Sequence, residues 1–287
     1  MARPPRIEFA GAVYHVSSRC DTGKAFADDT DREAFLQLLA QAMQRFDAQV
    51  LAYCLLPDHF ELLLFTRQAN LSRLMRHLNG VYTQHHNRRH GDTGALFHGR
   101  FKAVLVDRDA LLLDVCRYVE LAPVRLGLAA EAAAWPWSSH RVHAGGEPAP
   151  AWLDADGLHS YVLGKPVQNA ADRRRAGERY AKLVASEPKL DIWAGQLRQQ
   201  IFLGDAKFAA RMLARTGATR AVGTRRKGAG NWSDWMRASS TREQALYRAH
   251  TEGGLSMTAL AGNLGLSVSR VSRLIKGYEQ SMAGARH

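Results

Sequence analysis

The sequence predicts an α+β fold: a split βαβ antiparallel sheet with helices on one face, followed by an all-helical C-terminal region. Three observations predict it. Between residues 13 and 121 the segments run strand–helix–strand–strand–helix–strand–helix, an order that folds into one split sheet. Gly145-Gly146-Glu147-Pro148-Ala149-Pro150 then breaks the pattern as a boundary would. Beyond it the chain reads as charged and helical.

Val13 to Cys20 is β-branched and alternating, which marks a first strand. Thr30-Asp31-Arg32-Glu33 has the form of a capping box. The helix it opens carries Phe35, Leu39, Ala42 and Phe46 at helical spacing, widened by Leu36 and Met43. Gln49–Leu56 and His59–Thr66 read as strands joined by the turn pair Pro57-Asp58. A second helix begins near Asn70, with Leu71, Leu74, Met75, Leu78 and Tyr82 inward. Ala103–Asp107 is a fourth strand, and Arg108–Leu121 a helix that stops before Pro123. This is the ferredoxin-like arrangement. Trp135-Pro136-Trp137-Ser138-Ser139 reads as a packing lid over it.

The expected domains are 1–147, a basic helical connecting region at 148–235, and a terminal module at 236–282. Gly223–Asn231 reads as a flexible link. In the last segment Thr241–Thr251, Met257–Leu264 and Val268–Tyr278 are helices, and Gly265-Leu266-Ser267 is the turn between the last two. That short turn is the mark of a helix-turn-helix. It would set Ser267, Ser269, Arg270, Ser272 and Arg273 at the start of a recognition helix, where bases and phosphates of duplex DNA are met.

Lysine and arginine number 39 against 27 acids in 287 residues, a net charge of +12, which favours a polyanionic partner such as nucleic acid. Cysteines 20, 54 and 116 fit neither a disulfide framework nor a Cys-x-x-Cys zinc site. With no signal-like N-terminus and no membrane-length apolar run, the expected compartment is the cytoplasm, at the nucleoid when DNA is bound.

Two stretches carry chemistry. His59 and Glu61 alternate with Phe60 and Leu62, so they share one strand face and can reach one divalent cation. A polar pair on an apolar strand costs solvation unless something pairs with it; the residues alone leave open a structural pair or a ligand pair. Asp58, just before, is expected by alternation to point away from that face. Asn87 to Lys102 mixes Arg88, Arg89, Arg100 and Lys102 with glycines and two phenylalanines. Cations for the backbone and rings for stacking are what single-stranded nucleic acid needs, although the same stretch also fits a basic hairpin with Phe97 and Phe101 in the core. Tyr118 lies near the end of an amphipathic helix, where tyrosines are ordinarily core residues.

Taken in order, Tyr14-His15-Val16, Leu56-Pro57-Asp58-His59-Phe60, Asn87-Arg88-Arg89-His90, Gly99-Arg100-Phe101-Lys102, Arg117-Tyr118-Val119, Pro123-Val124-Arg125 and Trp135-Pro136-Trp137-Ser138-Ser139 resemble the single-tyrosine HUH transposases. The likeness is strongest to the REP-associated tyrosine transposases and the insertion-sequence-200-like family, some of which carry an appended helix-turn-helix. The resemblance implies Tyr118 as a nucleophile that cuts hairpin-forming single-stranded DNA through a 5′-phosphotyrosine. It implies His59 as a ligand of Mg²⁺ or Mn²⁺, Arg117 and Arg125 as further DNA contacts, and action as a homodimer. Phenols, with pKa values near 10, are weak nucleophiles at neutral pH, and a cation on the scissile phosphate offsets that. Two positions depart from the family: Glu61 replaces the second histidine of its His-x-His pair, and Ala122 stands where Gln or Asn usually completes the metal shell. The competing expectation is a DNA-binding regulator derived from such an enzyme with a decayed metal site; a protein unconnected with DNA is the third.

Overall fold

The computed structural model describes residues 7–20, 23–223, 232–251, 255 and 257–284. They form two compact units, Met1–Arg211 and Met212–His287, so residues 148–211 pack with the first. All but Gly223 of the expected link at 223–231 lies outside the described residues.

In the first unit β1 (Ala12–Arg19), α1 (Asp29–Phe46), β2 (Ala48–Leu56), β3 (His59–Thr66), α2 (Leu71–His90) and β4 (Lys102–Val106) follow in the expected order. β2, β3, β1 and β4 lie side by side in that order, every pair antiparallel. The start of α1 differs from the sequence expectation by two residues. Asp28 is the N-cap and accepts from the Asp31 amide at 3.1 Å, while the Asp31 carboxylate accepts from the Ala27 amide at 2.9 Å. Thr30, the expected cap, is inside the helix. An aspartate is the better match because its two oxygens can serve adjacent orphan amides.

Alternation gives the sheet two apolar faces. On one, Phe60 meets Phe35 of α1, and Phe35 in turn meets Tyr82 of α2. Phe97 closes this cluster against Phe60 and Tyr82. On the other face, Ala52, Cys54 and Leu63 pack with Leu112, Val115, Cys116 and Val119 of α3 (Arg108–Glu120). The expectation of helices on one face therefore holds for α1 and α2 alone. A strand such as β3, buried on both sides, needs a second covering layer, and α3 supplies it.

After α3 come α4 (Ala122–Arg125), α5 (His140–His143), α6 (Ala155–Leu163) and α7 (Ala170–Ser186). Residues 135–139 line the outer edge of β2: Leu55 donates to the Trp137 carbonyl at 2.8 Å and Ser139 to that of Tyr53 at 3.0 Å. The tryptophan lid is thus partly an edge cover that blocks strand-to-strand pairing. At the opposite edge, β5 (Leu197–Arg198) and β6 (Phe202–Leu203) add to the sheet, β6 parallel to β4. These strands break the expected all-helical run. α8 (Ala206–Gly223) follows.

The second unit holds α9 (Trp232–Arg237), α10 (Arg242–Thr251), α11 (Met257–Leu264) and α12 (Val268–Gly284). Leu246, Ala249, Leu260, Ala261, Val271 and Ile275 make its core. α11 turns into α12 through Gly265-Leu266-Ser267, with Gly265 at φ 61°. That left-handed turn is one that glycine makes without strain. Among the described residues no helix is long and apolar enough to cross a membrane.

Candidate active site

The register of β1 on β3 builds the site. Ser17 lies opposite Glu61 and Arg19 opposite His59, and directly opposed residues share a face. His15, two residues before Ser17, therefore joins His59 and Glu61 on the face that α3 covers. His15 Nε2 is 3.3 Å from Glu61 Oε2, and His59 Nε2 is 3.8 Å from Glu61 Oε1. All three side chains are buried. Burial alone would raise the Glu61 pKa, but the hydrogen bond from His15, the nearby His59 imidazole and the charge of Arg125 hold it at about 2. Glu61 is a carboxylate.

Asp58 corrects the sequence reading. It sits in the turn rather than on the strand, so alternation does not govern it, and its Oδ1 lies 2.5 Å from His59 Nδ1. Arg19 pairs with the other carboxylate oxygen and approaches His59 Nε2 at 3.4 Å. A carboxylate on Nδ1 fixes the tautomer and leaves Nε2 as the outward donor atom.

α3 brings Tyr118 to the same place, half-buried. The chain then bends at Leu121 into α4, which folds Arg125 back over the Tyr118 ring at 3.5 Å from its centroid. Arg125 also donates to the Tyr118 carbonyl, and its Nη2 lies 3.8 Å from Glu61 Oε2. Trp193, from the loop before β5, stands edge-on to both Tyr118 (5.5 Å) and His15 (5.3 Å). His15 and Trp193 are members of the cluster that sequence reasoning did not single out as site residues. The signal for His15 was present: one histidine on an alternating strand, on the face set by its neighbour's register. Trp193 carried none.

The other expected contacts separate into groups. Arg100 and Lys102 are exposed and line a cleft of about 560 Å³ that His15, Phe101 and Trp193 also border. Phe97 and Phe101 are buried, which makes them core residues rather than stacking platforms. Arg88 is exposed near the end of α2, the helix on the opposite face, and Arg89 beside it is engaged by Asp28 and Asp31. Arg117 is buried and paired with Asp114 at 3.1 Å and Glu187 at 3.2 Å. Ser269, Arg270 and Arg273 are exposed at the start of α12 in the second unit. Ala122 is buried and offers no donor.

As a set of donors, His59 Nε2 and Glu61 Oε1 fit one divalent cation after a small side-chain adjustment, with water and phosphate oxygens filling the other positions. His15 faces the other oxygen of Glu61 and could enter the same shell. An imidazole–carboxylate pair beside a tyrosine, under a cleft with cations at its rim, offers donors for a divalent cation and N–H groups for a phosphate. Residues 9–121 match the family described as Transposase IS200 like. No curated protein matches the chain. One similar solved structure is described as "Structure of the REP associates tyrosine transposase bound to a REP hairpin", with 17% identity over 54% of this chain and 94% of that one, at a TM-score of 0.45.

Proposed function

We propose that this chain is a single-tyrosine transposase that cleaves and rejoins hairpin-forming single-stranded DNA with Mg²⁺ or Mn²⁺. The observation that carries the reading is the convergence of Tyr118, Arg125, Glu61, His59 and His15 on one sheet face beside the Arg100–Lys102 cleft.

In this reading the Tyr118 oxygen attacks the scissile phosphorus. The bond from phosphorus to the 3′-oxygen breaks, leaving a 5′-phosphotyrosine and a free 3′-hydroxyl; the phenolic proton passes to water and the 3′-oxygen takes one up. The divalent cation held by His59 and Glu61 would polarise the phosphate and lower the charge penalty at phosphorus. Asp58 holds His59 in the tautomer that presents Nε2. Arg125 orients the ring from its face and has N–H groups for a phosphate oxygen, while Trp193 fixes the ring edge and excludes water from that side. Arg100 and Lys102 track the strand, and residues 236–282 act as a duplex-binding module through Ser269, Arg270 and Arg273. Arg88 adds a further contact at the end of α2.

A second reading, a DNA-binding regulator whose metal site has lapsed, draws on Ala122 and on the cations Arg19 and Arg125 close to the donors. One experiment separates them. A hairpin oligonucleotide labelled at its 3′ end is incubated with the full chain and Mn²⁺ or Mg²⁺, then resolved in SDS. The expected result is a labelled protein adduct that Tyr118→Phe abolishes. Binding that is indifferent to metal, with no adduct on any hairpin tried, would give the answer to the second reading.

A further inference from the structure

We infer a second metal site on the other face of the sheet, formed by Asp31, His86 and His90 and suited to a zinc-class transition metal. His86 and His90 are four residues apart on α2, so both rings project from one side of the helix near its end. Asp31 comes from the first turn of α1. One donor atom from each of the three lies within 4.8 Å of the other two. His90 Nε2 is 3.0 Å from Asp31 Oδ2, and the two imidazole rings lie 4.3 Å apart, tilted by 39°.

An independent observation marks the place as unfinished. His86 is 5% exposed, and neither of its ring nitrogens has a hydrogen-bond partner among the described residues. A buried imidazole with both nitrogens unmatched costs free energy, since at least one N–H must lose its water. Asp92 Oδ2, 4.0 Å from His86 Nδ1, offers a fourth donor where the chain leaves α2.

The local charge agrees with a divalent ion. Asp28 at 2.5 Å and Asp31 Oδ1 at 2.7 Å hold the Arg89 guanidinium, and Asp92 stands beside His86. Arg89 Nη1 also lies 3.1 Å from His90 Nε2. Three carboxylates against one guanidinium leave two negative charges in a strongly basic chain. Arg89 takes Asp31 Oδ1, and Oδ2 remains turned toward His90. Two imidazoles with one or two carboxylates suit Zn²⁺ or Co²⁺ and not Mg²⁺, whose shell is oxygen. The ion would clamp the start of α1 to the end of α2 and so order the loop that leads to Arg100 and Lys102.

Cobalt reports this site directly. Untagged full-length chain is titrated with Co²⁺, and the visible absorption of the bound ion is followed. We expect one equivalent to bind with the absorption of a nitrogen–oxygen tetrahedral site, and to persist in His59→Ala. His90→Gln, at the one exposed position of the three, should remove that equivalent, as should His86→Gln, each with circular dichroism showing the variant folded. Hydrogen exchange in residues 92–101 should slow when Zn²⁺ is added to wild type and not to His90→Gln. Failure of wild type to take up Co²⁺ at micromolar concentration, or uptake unchanged in His90→Gln, overturns the inference. Either result leaves the reading of Tyr118 untouched.

Discussion

Glu120→Gln is the substitution whose cost the structure specifies most fully. Glu120 ends α3 two residues after Tyr118 and has no exposed surface. Its carboxylate accepts from Ser139 Oγ at 2.6 Å, His140 Nδ1 at 3.2 Å, His143 Nδ1 at 2.5 Å and the Tyr180 hydroxyl at 2.8 Å. The buried anion thereby ties α3 to α5 and α7. Burial would raise its pKa, but the charge of His143 and the hydrogen bonds from His140 and His143 bring it to about 2. A glutamine keeps the shape but offers one acceptor oxygen, and turns an NH₂ donor toward groups that are themselves donors. Each buried group left unmatched costs about 1–3 kcal/mol, and breaking a buried charged network about 3–5 kcal/mol. Native-state hydrogen exchange at pH 7 should show the slowest amides of α3 and α7 opening more easily by roughly that amount. The pH dependence has a fixed sign. A carboxyl whose folded pKa lies below its ordinary 4.5 contributes fully above that value and loses its contribution as pH falls toward 2. Wild type should lose protection over that window, and the variant should show a flatter profile. A change below about 1 kcal/mol, with the pH profile unaltered, would refute the account of Glu120 as an ionised hub.

Glu61→Ala should weaken Mn²⁺ binding measured by calorimetry while leaving the circular dichroism spectrum in place; unchanged affinity would return Glu61 to a purely structural role. Gly177→Ala should destabilise the first unit, because a methyl group there would sit 2.7 Å from the Ala144 carbonyl oxygen and 2.8 Å from its carbon. Those are backbone atoms that cannot swing aside, so overpacking of about 1–3 kcal/mol is expected. A thermal midpoint lowered by about 3 °C or more is the readout, and an unchanged midpoint counts against the packing described.

The periodic parts of the fold were legible in the sequence, because burial imposes the period. The alternation of Val13–Cys20 and His59–Thr66, and the Phe35–Leu39–Ala42 stripe, each follow from one buried face. What escaped depends on contacts between distant segments. His15 gains meaning only once Ser17 is known to face Glu61. Asp58 was misjudged because strand alternation was extended into a turn. β5 and β6 are two residues long, and the turn between them has Gln199 and Gln200 at φ 49° and 60°. Left-handed residues are usually announced by Gly or Asn, so Gln-Gln hid the hairpin, and with it the segment that delivers Trp193. Arg89 and Arg117 looked like free cations because their acidic partners come from α1, from α3 itself and from the chain after α7.

Glu61 and Arg125 are where the two functional readings meet. Were Arg125 committed to Glu61, it would neutralise the carboxylate and compete with any cation for it. The geometry argues otherwise. At 3.8 Å the pair is beyond hydrogen-bond range, whereas the same guanidinium is fixed by the Tyr118 ring and carbonyl. The hydrogen-bonded neighbour of Glu61 is instead the His15 imidazole at 3.3 Å, which can turn from bonding the carboxylate to sharing a cation with it, while His59 stands 3.8 Å from the other oxygen. His15 supplies from β1 an imidazole of the kind that the family's pattern puts at position 61. In the proposed transposase, a carboxylate with a histidine near each oxygen, under an arginine anchored elsewhere, would hold the cation and leave the arginine's remaining N–H groups to meet a phosphate.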